Sequence, residues 1–413
     1  MLYHLFDYLE QQDYIGAGLF QYITFRAGAA VLLSLLITLV LGGRIIKLIQ
    51  KFQIIEKQRV LGLPGEALKA KTPTMGGLMI IAGIVLPSLL FARLDNIYIQ
   101  LMLFTTIWLG AIGFLDDYLK LTKGKDGLAG KYKVFGQVIL GAIVSVAMLY
   151  HEDIVVRMTI EQAEAGGYQI IRQYMEDGVI FAHVKTTLTN VPFIKAFQGN
   201  EFDYAQLLWF LGDNAINFVW VVFVPFVIFV VTAISNGANL TDGMDGLAVG
   251  VSAIIGVVLA ILAYVSGNTI FAEYLGILYL PNTGELAVFI GCFLGACLGY
   301  LWYNAHPAQV FMGDTGSLAI GGIIASLAIL IRKELLLPIL CGVFVMETAS
   351  VVIQVAYFKY TKKRYGEGKR VFLMSPLHHH YQKKGIPEAR LVTRFWIIGI
   401  ILAIITLITL KVR

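Results

Sequence analysis

Residues 216–265 decide the fold: INFVWVVFVPFVIFVVTAIS at 216–235, NGANLTDGMDG at 236–246 and LAVGVSAIIGVVLAILAYV at 247–265. The two outer runs are apolar, and each has about the 20 residues that an α-helix needs to cross a bilayer. A helix suits the bilayer because all of its backbone hydrogen bonds are made within the segment. The stretch therefore predicts two transmembrane helices joined by a short polar loop.

The rest of the chain repeats this pattern. Of its 413 residues, 58% are hydrophobic and 14% are charged, and the mean hydropathy is +0.75. Soluble proteins average about a quarter charged residues, so the composition excludes a soluble enzyme. The net charge of +5 does not indicate nucleic-acid binding, because most of the surface faces lipid. We predict an all-α polytopic membrane protein, a single domain over 1–413, with ten transmembrane helices at 27–46, 76–92, 97–115, 134–150, 216–235, 247–265, 285–303, 316–331, 335–358 and 393–410.

Basic residues mark one side of the membrane. Cytoplasmic loops carry an excess of Lys and Arg, and here these residues fill the loops after spans 1, 3 and 9. The opposite short loops hold few of them: Arg93 near Asp95, and Arg332 and Lys333 beside Glu334. Both termini are therefore predicted to be periplasmic. The polar, acidic segment 151–215, between spans 4 and 5, is predicted to be a periplasmic insertion, and the sequence leaves its fold open.

Two polar clusters on the predicted cytoplasmic side are rich in aspartate. Asp116 and Asp117 lie at the inner end of span 3, where adjacent carboxylates need a cation, a proton or water. Asp242 and Asp245 lie between spans 5 and 6, where flanking glycines let the backbone approach a ligand closely. A solvated helix end would also explain the first pair. A tight turn would explain the glycines of the second cluster but not its two acids.

The other two clusters contain an aspartate and three consecutive histidines. Asp314 lies at the start of span 8, where it would serve either as a helix cap or as a metal ligand. His378, His379 and His380 precede span 10. A zinc motif on a helix needs histidines at i and i+4, so we interpret this triplet as hydrogen-bond donors to phosphate or as proton carriers.

The four clusters share one face of the membrane, which predicts a single site. Five aspartates, several asparagines, three histidines and many lysines suit a Mg²⁺ ion that bridges a diphosphate. Mg²⁺ takes only one or two carboxylates from a protein, so the other aspartates bind substrate, position water or accept a proton. The sequence has no Gly-rich loop followed by Gly-Lys-Ser/Thr, which argues against an ATP-driven pump.

Five motifs together resemble the bacterial phospho-N-acetylmuramoyl-pentapeptide transferases, the MraY family of polyprenyl-phosphate N-acetylhexosamine-1-phosphate transferases. They are KTPTMGG at 71–77, LDD at 115–117, NLTDGMDGL at 239–247, FMGDTGS at 311–317 and SPLHHH at 375–380. The resemblance implies a homodimer of ten-helix subunits in the bacterial inner membrane, with its active site on the cytoplasmic face. It also implies Mg²⁺-dependent transfer of phospho-MurNAc-pentapeptide from UDP-MurNAc-pentapeptide to undecaprenyl phosphate. The products would be lipid I and UMP, in the first membrane step of peptidoglycan synthesis for cell wall growth and division.

The resemblance also implies roles for individual residues. Asp314 would be the leading Mg²⁺ ligand, with Asp116 and Asp117 beside the metal and the lipid phosphate. Asp116 is the first choice for deprotonating or orienting that phosphate. The implied substrate-binding residues are Asn239, Asp242 and Asp245 for the uridine end and the sugar-nucleotide, Phe311 for stacking on uracil, and Lys69, Lys71, Thr74, Lys120 and Lys131 for the diphosphate. His378, His379 and His380 match the family's histidine motif. By this resemblance His378 and His379 would take part in catalysis, and His380 would bind substrate.

The expected chemistry is in-line attack by a lipid phosphate oxygen on the β-phosphorus, while Mg²⁺ and lysines stabilise the charge of the departing UMP. One-step displacement needs no covalent intermediate, whereas a two-step route would use Asp242 or Asp116 as the nucleophile. The sequence leaves both routes open. Glu347, inside span 9, either lines a lipid groove, as the resemblance implies, or is a protonated, hydrogen-bonded structural residue.

Two other functions compete with this one. A transferase of GlcNAc-1-phosphate to the same lipid would share the aspartates, but the unbroken SPLHHH motif favours the MurNAc-peptide enzyme. A secondary transporter would carry charges in mid-span and repeat them between its halves. Here the acids cluster at the cytoplasmic ends of the spans, and the sequence shows no repeat between its halves.

The segment 151–215 is longer than the connection expected in shorter relatives, and it lies opposite the predicted chemistry. We therefore predict that its deletion spares transfer by the purified enzyme. Complete loss of turnover with an intact fold would contradict this prediction.

Overall fold

The structure, a computed structural model, describes residues 1–51, 69, 72–123, 127–176, 178–192 and 201–410, except for the side chains of Lys123 and Asp213. Its helices are α1 (Leu2–Glu10), α2 (Ile23–Lys51), α3 (Gly77–Phe91), α4 (Ile97–Lys123), α5 (Gly130–Tyr150), α6 (Ile160–Ala165), α7 (Trp220–Thr241), α8 (Leu247–Ser266), α9 (Thr269–Leu275), α10 (Leu286–Asn304), α11 (Gly313–Leu330), α12 (Leu337–Leu340), α13 (Gly342–Tyr365), α14 (Leu377–Lys383) and α15 (Glu388–Ile408). Its strands are β1 (Val156–Thr159), β2 (Gln169–Glu176), β3 (Val179–Lys185), β4 (Leu188–Asn190) and β5 (Glu201–Asp203). The predicted site residue Lys71 lies outside the described residues.

Nine of the described helices are long and apolar enough to cross a membrane: α2, α4, α5, α7, α8, α10, α11, α13 and α15. The tenth apolar helix, α3, has 15 residues. At 1.5 Å per residue it is about 22 Å long, less than the roughly 30 Å of a hydrocarbon core. Each predicted span overlaps one of these ten helices, so the all-α polytopic membrane fold is confirmed. The side on which the termini lie stays a prediction.

Helix α11 is the most buried of the membrane helices and carries Asp314 in its first turn. In its membrane-crossing window 89% of residues are buried, compared with 28% for α13. It packs against α4 and α7. Because packed interiors resist displacement, this burial fixes the position of the side chains in the first turn of α11.

Small residues let α10 approach α2 closely. Gly291, Gly295 and Gly299 recur every fourth residue along α10. A Cβ atom on Gly295 would overlap the carbonyl oxygen of Val31, so a larger residue does not fit there. This spacing is typical of membrane helix pairs, in which close backbone packing drives association.

The described residues of the segment 151–215 form two small antiparallel sheets at the end of α11 opposite to Asp314. One sheet has the order β1, β3, β2, and the other pairs β4 with β5. Ala182 and Val184 alternate with more exposed residues along β3 and pack against the buried Val156 and Ala163. Alternate burial of this kind gives the first sheet one apolar face, which joins the hydrophobic core of the membrane helices.

Strand β4 covers a buried charged loop that follows α11. Arg332, Lys333 and Glu334 are each at most 2% exposed. The Thr189 hydroxyl donates to the carbonyl oxygen of Arg332 (3.1 Å), and the Lys333 ammonium donates to the side-chain oxygen of Asn190. Burial lowers the pKa of Lys333 from 10.5 to about 7. The charge of Lys333 is therefore costly to hold, and the segment 151–215 supplies a hydrogen-bond acceptor through Asn190.

Replacing Asn190 by Ala should destabilise the protein by about 1–3 kcal/mol, because the buried Lys333 ammonium loses its acceptor. Thermal unfolding in detergent at pH 6, where Lys333 carries its charge, measures the effect. Gln173→Ala, at an exposed position of β2, is the control and should leave the stability unchanged. Equal stability of the two variants would show that Lys333 does not depend on β4.

Candidate active site

Helix α4 crosses the first turn of α11 at Gly113. A Cβ atom on Gly113 would overlap the carbonyl group of Asp314, so this approach requires glycine. Asp116 and Asp117 follow three and four residues later, which places them on the same face of α4. The crossing therefore brings both carboxylates to the beginning of α11.

Backbone pairing joins two of the sequence motifs at this point. The Phe311 N–H donates to the carbonyl oxygen of Pro73 (2.8 Å). The chain then turns into α11 at Gly313, whose φ is +72°. A Cβ atom there would lie 2.5 Å from Oδ2 of Asp117 and 3.1 Å from the Thr74 hydroxyl. The predicted substrate-binding residue Thr74 thus lies beside the first turn of α11.

Asp117 caps α11. Its Oδ1 accepts from the backbone N–H of Asp314 (3.1 Å), and its Oδ2 accepts from the backbone N–H (2.9 Å) and the hydroxyl (2.6 Å) of Thr315. The carboxylate also complements the positive end of the helix dipole. With both oxygens engaged by α11, Asp117 holds the position of Asp314.

Asp116, Asp117 and Asp314 form an acidic triad, in which one oxygen from each residue lies within 4.8 Å of the others. Two ammonium groups lie among these carboxylates. Nζ of Lys120 is 2.8 Å from Asp116 and 3.4 Å from Asp314, while Nζ of Lys133 is 2.9 Å from Asp116 and also contacts Asp314. The side chain of Asp314 is 13% exposed and those of Asp116 and Asp117 are fully buried, so Asp314 is the carboxylate open to an incoming ligand.

Asn239, at the end of α7, holds the Asp314 carboxylate in place. Its side-chain amide donates to Oδ1 of Asp314 (2.8 Å) and to the hydroxyl of Ser317 (2.9 Å). The sequence predicts that Asn239 binds the uridine end of a nucleotide, and the structure places it against the acidic triad. Three helices, α4, α7 and α11, therefore converge on Asp314.

A second cluster gathers several of the predicted substrate-binding residues. Nζ of Lys69 is 2.6 Å from Oδ1 of Asp245 and 2.5 Å from Oε1 of Glu388, and lies 5.8 Å from the centre of the Phe311 ring. Nδ1 of His306 is 3.1 Å from the other oxygen of Asp245. These acids and His306 have the spacing of a metal site, but the Lys69 ammonium already supplies the positive charge between the two carboxylates. The cluster offers an aromatic face beside fixed polar groups, as a nucleobase site requires.

The three histidines differ in their surroundings. His378 is fully buried, and both its Nδ1 (3.1 Å) and its backbone N–H (3.3 Å) contact Oε2 of the fully buried Glu347. Nδ1 of His379 lies 2.8 Å from the side-chain oxygen of Gln382, and Nδ1 of His380 accepts from a backbone N–H. The structure therefore gives His378 a carboxylate partner inside the protein. Complete burial of Glu347 does not fit the groove-lining interpretation.

The ring of His378 also lies under the loop between α7 and α8. A Cβ atom on Gly243 would overlap Nε2 of His378, so the two groups are in direct contact. Asp242 precedes this glycine. Burial, and then the negative charges of Asp314, Asp117 and Asp245, raise the pKa of Asp242 to about 8.

A raised pKa predicts a specific loss of stability with pH. Because Asp242 binds its proton more tightly in the folded state, the proton contributes to the free energy of unfolding. This contribution is complete below pH 3.8 and is lost as the pH rises through about 8. The melting temperature of the wild type should therefore fall relative to Asp242→Asn between pH 5 and about 9, measured in detergent without metal or substrate. Parallel pH curves for the two proteins would contradict this expectation.

Lys133 was not among the predicted site residues, although Lys131 was. The Lys131 ammonium lies 5.1 Å from the centre of the Tyr132 ring, whereas Lys133 contacts the acidic triad. Helical spacing could have identified Lys133, because it lies on the same face of α5 as the buried Gly136 and Gln137.

Glu388 and His306 were also missed. Glu388 accepts from the backbone N–H of Asp245 (2.8 Å) in addition to binding Lys69. Both residues reach Asp245 from distant parts of the chain, so no local spacing connects them. Only the packing of α15 and of the segment before α11 brings them to the site.

Comparisons with known proteins agree with this arrangement. Residues 99–332 match the family model "Glycosyl transferase family 4", and residues 69–81 match "Phospho-N-acetylmuramoyl-pentapeptide-transferase signature 1". The second match contains Lys69 and Thr74, and the first contains the acidic triad.

Relatives that align over their full length carry one name. Proteins from Flavobacterium psychrophilum and Amoebophilus asiaticus are each 55% identical to this chain, and one from Parabacteroides distasonis is 53% identical. Each alignment covers 100% of both chains, and each relative is named phospho-N-acetylmuramoyl-pentapeptide-transferase. The chain therefore belongs to the phospho-N-acetylmuramoyl-pentapeptide-transferase family.

Proposed function

We propose that this chain transfers phospho-MurNAc-pentapeptide from UDP-MurNAc-pentapeptide to undecaprenyl phosphate, releasing UMP and forming lipid I, with Mg²⁺ as its cofactor. The observation that carries the proposal is Asp314, a partly exposed carboxylate held by three helices between Lys120 and Lys133. Its neighbours supply the positive charge that a diphosphate needs.

The residues present fit Mg²⁺. Carboxylate oxygens are its preferred protein ligands, and it usually binds one or two of them together with substrate phosphates and water. Asp314 would hold the ion, with Asp116 beside it, while Asp117 remains the cap of α11. When bound, Mg²⁺ would neutralise charge on the diphosphate and on the departing UMP.

The side chains of this chain orient the two substrates. Lys120 and Lys133 are placed to exchange their carboxylate contacts for the oxygens of the diphosphate and the lipid phosphate. Phe311 and Lys69 would bind the uridine end, where Asp245 fixes the ammonium. These contacts align the acceptor oxygen with the β-phosphorus for in-line attack.

A one-step displacement suits the surroundings of Asp116. Its side chain is fully buried, its Oδ1 accepts from the Leu128 N–H (2.6 Å), and its Oδ2 lies between Lys120 and Lys133. Attack on phosphorus by this carboxylate would require loss of those contacts. Asp116 is better placed to position the two lysines, which then hold and orient the lipid phosphate.

We further propose that the site lies on the cytoplasmic face of the bacterial inner membrane and that the enzyme is a homodimer. The basic loops that mark the cytoplasmic side are those that flank the acidic triad and the histidine helix α14. The nucleotide substrate would therefore reach the site from the cytoplasm.

The test is transfer by the detergent-purified protein with Mg²⁺, undecaprenyl phosphate and UDP-MurNAc-pentapeptide, followed as UMP release. Parallel reactions contain UDP-GlcNAc in place of the peptide substrate, or a chelator in place of Mg²⁺. UMP from the MurNAc-pentapeptide substrate alone, and only with Mg²⁺, is expected. Absence of UMP, or UMP from UDP-GlcNAc alone, would overturn the proposal.

A further inference from the structure

A cavity of about 480 Å³ lies between α13, the segment that follows it and α14. One part of its wall is cationic, formed by Lys359, Arg370 and Lys383, and another part is apolar, formed by Val355, Phe358 and Met374. None of these residues belongs to the acidic triad or contributes a lysine to it. The cavity is therefore separate from the acidic triad, although Ser375 and Lys383 place it beside the histidine helix α14.

Buried polar side chains hold the wall in place. Gln354 is 9% exposed, and its side-chain oxygen accepts from the backbone N–H groups of Val371 (3.1 Å) and Phe372 (2.9 Å). The buried Thr361 hydroxyl accepts from the N–H of Lys369 (2.8 Å). These bonds fasten the returning segment along α13, so the cavity is built by the fold.

Within the part of the chain that the structure describes, the cations of the wall have no acidic partners. Lys359, Arg370 and Lys383 come from three different elements, and within the described residues none of them forms an ion pair. Three positive charges around one cavity repel each other unless an anion lies between them. The charge of the wall therefore selects an anionic ligand.

The apolar wall continues onto a face of α13 that lipid would contact. Val352 is 61% exposed, Val355 45% and Phe358 39%. Basic residues on α13 begin at Lys359, directly after this apolar part. Such a transition marks the boundary between the hydrocarbon core and the headgroup region.

We propose that this cavity binds the phosphate headgroup of an anionic phospholipid, whose acyl chains lie along the exposed face of α13. Lys359, Arg370 and Lys383 would contact the phosphate, and Val355 and Phe358 would contact the first part of the chains. The ligand is a membrane phospholipid rather than the reacting lipid, because the cavity wall contains no residue of the acidic triad.

The experiment compares the binding of phosphatidylglycerol and phosphatidylcholine to the full-length protein in detergent, read by native mass spectrometry without nucleotide substrate. The test variant is K359Q/R370Q/K383Q. The matched control is K362Q/K363Q/R364Q, which removes the same charge from the exposed end of α13 without altering the cavity wall. Thermal unfolding verifies that both variants are folded, and K383Q alone provides a milder test.

Phosphatidylglycerol should bind in preference to phosphatidylcholine, and the test variant should lose affinity for it by roughly tenfold to a hundredfold. K383Q should lose less affinity for phosphatidylglycerol than the triple variant, and the control should bind it like the wild type. Equal losses in the test and control variants would overturn the site in favour of a general surface charge. Displacement of phosphatidylglycerol by equimolar undecaprenyl phosphate would overturn the assignment to a phospholipid.

Discussion

Replacing Asp314 by Asn should reduce UMP formation on the order of 10³-fold while leaving the protein folded. The variant removes one negative charge and preserves the shape of the side chain, and its remaining oxygen can still accept from Asn239. Asp314 is also the exposed member of the acidic triad. The loss should therefore fall on metal and diphosphate binding, measured as UMP release and as Mg²⁺ binding by calorimetry.

Asp117→Asn is the matched control because it makes the same chemical change within the triad. Asp117 accepts three hydrogen bonds from the first turn of α11. Its amide variant should lower the melting temperature, whereas Asp314→Asn should not. Wild-type turnover and Mg²⁺ binding by Asp314→Asn would remove this residue from the metal site.

The membrane helices are predictable from the sequence because lipid excludes unsatisfied backbone groups. Their ends are less predictable, as α13 illustrates. The apolar pattern predicts a span over 335–358, but the helix runs over Gly342–Tyr365. Residues 334–340 form short separate helical turns around Pro338, and α13 continues past Phe358 through basic residues. Hydropathy locates the part of a helix in lipid, whereas backbone hydrogen bonding determines where the helix ends.

The sequence predicts those site residues that lie in recognisable short motifs. Asp116, Asp117 and Asp314 each have a distinctive sequence neighbourhood, and the structure brings them together. Their cap and brace roles depend on helix crossings that no spacing reveals. The contact of Asn239 with Asp314 joins residues 75 positions apart and requires α7 to pack against α11.

The partner of Glu347 could not be predicted from the sequence either. An acid inside an apolar span indicates a special role, but not its partner. The structure pairs it with His378, whose Nε2 makes no hydrogen bond within the described residues and lies against Gly243. Glu347 therefore orients the ring toward the loop that contains Asp242.

Glu347→Gln should lower kcat by about 10–100-fold and leave the KM for UDP-MurNAc-pentapeptide nearly unchanged, because it acts on the histidine rather than on the nucleotide. Glutamine preserves the size of the side chain but replaces the carboxyl group, whose Oε2 lies 3.1 Å from Nδ1 of His378, with an amide. Ser350→Ala, also buried in α13, is the control, since its hydroxyl bonds only the Glu347 carbonyl oxygen within the described residues. Steady-state UMP release gives kcat and KM, and thermal unfolding gives the folded fraction. A loss of folded protein with unchanged kcat per folded molecule would make Glu347 a structural residue, because a positioning residue must alter turnover in the intact enzyme.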